Sequence, residues 1–275
     1  MKKYLKAIGV VLGLIILWQL AIGVSSIGYA FIYGIYQSSQ TGKVVSEVFM
    51  QEHIKDNLYT IVLIGEVLLL IALIPIIKEK LIKRGSFKSI NSNTITNMFI
   101  LGIGMDGIVA LSGMILSTIF PSYLEVSKTI SNATGSYLQL FSIVICAPIF
   151  EEIFFRGFML GYLKKNFNIV GAIIVQAVVF GIMHGNIVQG IYASILGIAL
   201  AIVYLHYESL FACIIVHIVT NFFGSVVNGF LVSKINSEVT IITIFVIIAI
   251  VCIYIPGTKM YKEHKSKVNE KISIE

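Results

Sequence analysis

Apolar residues in this chain neither alternate nor recur only at helical spacing. They run on for about twenty positions at a time, and short polar stretches separate the runs. A helix of about 20 apolar residues covers a bilayer core of about 30 Å. The pattern predicts eight such segments, at 7–36, 58–77, 94–120, 137–163, 168–184, 187–206, 209–232 and 239–255. The fifth and sixth are divided only by His184-Gly185-Asn186, the one polar break in a stretch too long for a single crossing. Segment 7–36 is far longer than the apolar core of a secretory signal, so it is expected to remain as an anchor. The expectation is an all-α polytopic membrane helix bundle with about eight transmembrane helices. It forms a single membrane domain over 1–275, with a motif region at 137–232 and a basic cytoplasmic tail at 259–275.

Composition agrees: 57% of residues are hydrophobic and 12% charged, against about a quarter charged in soluble domains. The formal charge of +6 raises nucleic acid as a partner. However, the Lys and Arg residues lie in short clusters between apolar runs and form no basic helix face, so no nucleic-acid partner is expected. Membrane topology accounts for them better. An even number of crossings puts both termini on one side, and fifteen Lys and Arg residues fall there against Lys43, Lys55, Lys128 and Lys234 opposite. Both termini are thus expected to be cytoplasmic, in the cell membrane. Cys146, Cys213 and Cys252 lie within apolar runs without metal-ligand spacing and read as small apolar residues.

Charged groups inside such segments are costly unless paired, and by default they mark a site. Glu151, Glu152 and Arg156 stand in the fourth segment. Residues four apart share a helix face, so Glu152 pairs with Arg156, while Glu151 diverges by about 100° without a local cation. Further on come Phe180-x-x-x-His184 and His217-x-x-x-Asn221. A lone membrane His or Asn is as often an interhelical hydrogen bond. A carboxylate, two imidazoles and an amide together are the groups needed to activate water and stabilise an oxyanion. Glu66 and Asp106 are expected to face the bundle interior, and His206 beside Glu208 to lie at an interfacial helix end.

Glu151-Glu152-x-x-x-Arg156, Phe180-x-x-x-His184 and His217-x-x-x-Asn221, in that order on separate helices, resemble the three signature motifs of the CAAX-protease and bacteriocin-processing (Abi) family. The flanking Ala147-Pro148 and Arg156-Gly157 fit as well. The resemblance implies an intramembrane endopeptidase acting on a peptide or membrane-protein substrate in the lipid bilayer, related to the eukaryotic enzyme that trims prenylated CAAX proteins. It implies that Glu151 and His184 activate water, that His217 and Asn221 stabilise the oxyanion, and that Glu152 and Arg156 support them. Metal-free base catalysis is the expected chemistry, because closely spaced zinc ligands such as His-Glu-x-x-His are absent. The alternative is a zinc-bound water held by Glu151, His184 and His217. Two other functions fit the same chain: a non-catalytic immunity or scaffold protein, and a small ion- or proton-coupled transporter using Glu66 and Asp106.

Overall fold

The computed structural model describes residues 2–272, with side chains for 4–270. The last three residues of the expected basic tail lie outside the described residues. The described chain forms α1 (Lys2–Thr41), α2 (Glu47–Asp56), α3 (Leu58–Ile82), α4 (Ser92–Ile119), α5 (Tyr123–Ala133), α6 (Tyr137–Leu163), α7 (Ile169–Ile182), α8 (Ile187–Tyr207), α9 (Leu210–Lys234) and α10 (Glu238–Ile272). The architecture is all-α, and among the described residues the only extended pairing is the bridge between Phe87 and Ser209. Among the described residues, seven helices are long and apolar enough to cross a bilayer. The remaining apolar segment, α7, has 14 residues, about 21 Å at 1.5 Å per residue. The polar stretches at 37–57 and 121–136 contain short helices α2 and α5 where the sequence reads as polar connection. The expected tail continues α10 as helix to Ile272.

Local signals set the helix starts. The side chains of Asn91, Asn168 and Asn186 accept from Thr94 N–H, Gly171 N–H and the Val188 and Gln189 N–H groups, so three helices begin with a satisfied cap. Between α7 and α8 the chain turns at Gly185, whose φ of +69° suits a residue without Cβ. At Gly181, a Cβ would overlap the Ser194 hydroxyl and the Gly190 carbonyl, so glycine there lets α7 lie directly on α8.

Helix ends alternate between two poles. Tyr4 packs on Phe167 with centroids 5.1 Å apart and the rings tilted by 48°, Phe87 bridges to Ser209, and His206 Nε2 meets Glu263 Oε2 at 2.9 Å. These contacts gather the first residues of α1, the α3–α4 loop, the α6–α7 turn, the end of α8 and the end of α10 at one pole. At the other, Gln139 Nε2 donates to the Asp56 carbonyl at 2.9 Å and Tyr123 packs edge-on to Tyr192. Short as it is, α7 connects the two poles. His206 lies at its helix end as expected, with Glu263 as its partner.

Helix α6 is the hub: it packs on α1, α3, α7, α8 and α9, while α4 packs on α8, α9 and α10. Trp18 reaches in from α1 to Phe150, Phe154 and Phe155, with centroids 5.2, 5.4 and 5.8 Å away. The outer helices show the converse pattern. Ile27, Phe31 and Ile250 are 73%, 68% and 63% exposed, as expected of faces solvated by hydrocarbon. The chain is a multi-pass membrane protein.

Candidate functional site

The site forms where α6, α7 and α9 meet. Glu152, Arg156 and His217 are 0%, 0% and 2% exposed, so each must be satisfied from within. Arg156 Nη1 donates to Glu152 Oε1 at 2.8 Å, and the pairing expected one turn apart is present. The same oxygen accepts from His217 Nδ1 at 2.8 Å. The other imidazole nitrogen, His217 Nε2, lies 3.5 Å from Glu151 Oε2. Adjacent carboxylates on α6 therefore address the two nitrogens of one ring. A continuous polar line runs Arg156–Glu152–His217–Glu151 and ends at the one member whose side chain is partly open, at 13%.

Backbone irregularity places these groups. From Glu152 to Leu160, α6 is wound in wider i→i+5 turns, a form that recurs at functional sites. A similar wide turn precedes it at Ser142–Cys146, where the Ala147 N–H bonds to the Ser142 carbonyl. In that winding the next donor would be residue 148, which is proline and has no N–H. The Ile143 carbonyl thus lacks a backbone donor, and Asn221 Nδ2 supplies one at 2.9 Å. Pro148 and Asn221, both at motif positions, are two halves of one feature that docks α9 on α6.

His184 Nδ1 donates to the Phe180 carbonyl at 2.8 Å. In the neutral ring this leaves Nε2 as the lone-pair nitrogen. Phe180 is the common wall of the site. Its ring meets His184 and His217 edge-on at 4.9 and 5.8 Å, and the Arg156 guanidinium carbon sits 4.7 Å from its centroid. His184 and His217 therefore flank the same ring, and no hydrogen bond joins His184 to Glu151.

Three supporting groups are not among the residues the sequence marks: the Gln176 side chain and the carbonyls of Gly197 and Ile143. Arg156 Nη2 and Gln176 Nε2 both donate to the Gly197 carbonyl, at 3.3 and 2.9 Å. Gln176 is a polar side chain in an apolar run, four residues before Phe180, and that spacing was the available signal. The carbonyls of Gly197 and Ile143 carry no such mark.

The carboxylates outside the motifs differ from each other. Asp106 accepts from Asn228 Nδ2 with both oxygens, at 3.0 and 3.1 Å, which fastens α4 to α9. Glu66 is 2% exposed and neither of its oxygens has a hydrogen-bond partner.

The alternative zinc set would draw on residues of this same cluster. Among the described residues no three His, Cys, Asp or Glu side chains stand together as a group able to hold a metal ion. His184 and His217 are each held through Nδ1, by the Phe180 carbonyl and by Glu152, so the donors of that set would be both Nε2 atoms and the Glu151 carboxylate.

Fold and site together define a polytopic α-helical membrane protein with a buried carboxylate–imidazole cluster at its hub. Residues 133–223 match the family described as type II CAAX prenyl endopeptidase Rce1-like, and this segment contains all three motifs. The match covers a third of the chain and agrees with the CAAX-protease and bacteriocin-processing family that the motifs resemble. It supports a CAAX-type membrane protease at family level. No curated protein and no solved structure matches the chain.

Proposed function

We propose that the protein is an intramembrane endopeptidase of the cell membrane that hydrolyses a peptide bond in a membrane-associated peptide or protein, with Glu151 as the base. The carrying observation is the line Arg156–Glu152–His217–Glu151, in which a partly open carboxylate stands at the end of a fully buried hydrogen-bonded series. The family match over 133–223 supports the same reading.

In this mechanism, water sits between Glu151 and the free Nε2 of His184. Glu151 takes one proton as the water oxygen bonds to the carbonyl carbon, and the carbonyl electron pair moves onto oxygen. Glu152, anchored by Arg156, fixes the His217 ring through Nδ1. A proton carried on Nε2 of His217 is then directed to the oxyanion, and the second N–H of Asn221 is the other donor. As the tetrahedral intermediate collapses, the C–N bond breaks and the proton on Glu151 passes to the leaving amine. Both termini, the α3–α4 loop and the basic tail face the cytoplasm, where the positive-inside bias places them.

The test uses purified full-length protein in vesicles, mixed with a library of apolar peptides, with mass spectrometry of newly formed termini. The wild type is expected to generate a reproducible set of cleavage sites and Glu151→Gln none. Cleavage by Glu151→Gln at the wild-type rate would overturn the assignment.

A further inference from the structure

At the pole that holds the start of α1 and the end of α10, the ends of α3, α6 and α8 and the α3–α4 loop line an open cavity of about 810 Å³. Its wall includes Lys80, Arg84, Lys88, Lys164 and Lys165, with Glu208 as the single carboxylate of the lining. Topology calls for basic residues on one side of the membrane, but not for five from two separate segments to converge on one hollow.

The rim is structurally fixed. The Leu210 N–H donates to the Ser86 carbonyl at 2.7 Å, and Ser209 Oγ to the Lys88 carbonyl at 2.5 Å. Tyr204 Oη donates to Ser86 Oγ at 3.3 Å. Among the described residues none of the five cations forms an ion pair, whereas neighbouring Lys83, outside the lining, pairs with Glu79 at 2.5 Å. The chain has two arginines, of which one is sealed in the α6 site and the other, Arg84, lines this cavity.

Unneutralised cations around a preformed hollow call for an anion with several acceptor oxygens. The cavity lies where membrane helices emerge, and its lining includes Leu81 and Ile82, the latter 54% exposed on the outer surface of α3. A ligand there meets cationic side chains together with the apolar Leu81 and Ile82. We infer that this cavity binds the phosphate headgroup of an anionic phospholipid, with Arg84 and Lys164 as two of its phosphate contacts from opposite segments.

The full chain reconstituted in phosphatidylcholine nanodiscs containing a minor fraction of phosphatidylglycerol provides the test, with bound lipid counted by native mass spectrometry. Combining Arg84→Gln with Lys164→Gln is expected to weaken phosphatidylglycerol retention about twenty-five-fold, at about fivefold per cation. Lys88→Gln with Lys165→Gln is expected to act in the same direction. Lys262→Gln with Lys265→Gln removes equal charge from α10 and is expected to retain the lipid as the wild type does. Equal loss from the cavity and α10 variants, or equal retention by all, would overturn the site. Inorganic phosphate is added to discs of phosphatidylcholine alone in a second arm, with no rise in unfolding temperature expected. A rise matching that given by phosphatidylglycerol would assign the cavity to a soluble phosphoryl group and overturn the lipid assignment.

Discussion

Helix α9 carries two polar clusters on different principles. Where it crosses α6, His217 stands between two carboxylates, and one of these is itself tied to an arginine. Where it crosses α4, Asn228 holds both oxygens of Asp106 and the network stops there. The first cluster joins ionisable groups in series, each in contact with the next. The second is a fastener, in which an amide that cannot titrate satisfies one carboxylate. Intramembrane polarity alone therefore does not mark chemistry. Connection among titratable groups, with one partly open end, distinguishes the α6 cluster.

Removing a partner from each cluster separates the two roles. The largest loss of stability is expected for Arg156→Met, which leaves Glu152 buried without its cation, at a cost of about 3–5 kcal/mol. Adding Glu152→Gln should recover part of that in the same unfolding measurement in micelles. Next is Asn221→Ala, which strands the Ile143 carbonyl and should cost about 1–3 kcal/mol. In a Pro148→Ala background the new N–H can serve that carbonyl, so the cost of Asn221→Ala should shrink. Equal costs in both backgrounds would contradict the proposed coupling. Asn228→Ala should cost about 0.6–1.7 kcal/mol, the range of membrane hydrogen bonds, and leave cleavage per folded molecule unchanged. The smallest effect concerns metal: dialysis against a strong chelator should leave cleavage unaltered. Loss of cleavage restored by zinc alone would contradict the metal-free mechanism.

Much of this was legible in the sequence because the bilayer imposes simple rules. Long apolar runs gave the helices, and His184-Gly185-Asn186 divided α7 from α8 as expected. The pairing of Glu152 with Arg156 followed from helical spacing. Convergence of Glu151 and Glu152 on one imidazole did not, since uniform α-helical winding sends adjacent side chains about 100° apart. The wide turns in α6 and the orphaned carbonyl behind Pro148 arise from backbone hydrogen bonding, which residue types encode only indirectly. Glu66 was visible as a membrane carboxylate, but that neither of its oxygens has a hydrogen-bond partner among the described residues required the packed structure.

The central claim is that the α6 cluster is chemical and the α4 cluster mechanical. The direct measurement is the cleavage rate of one library-derived peptide by Glu151→Gln and Asp106→Asn, each in vesicles and normalised to folded protein. Glu151→Gln should lose about 10²–10⁴-fold, the contribution of a positioned general base, while Asp106→Asn stays near the wild-type rate. Equal losses in the two variants, or loss in Asp106→Asn alone, would contradict it.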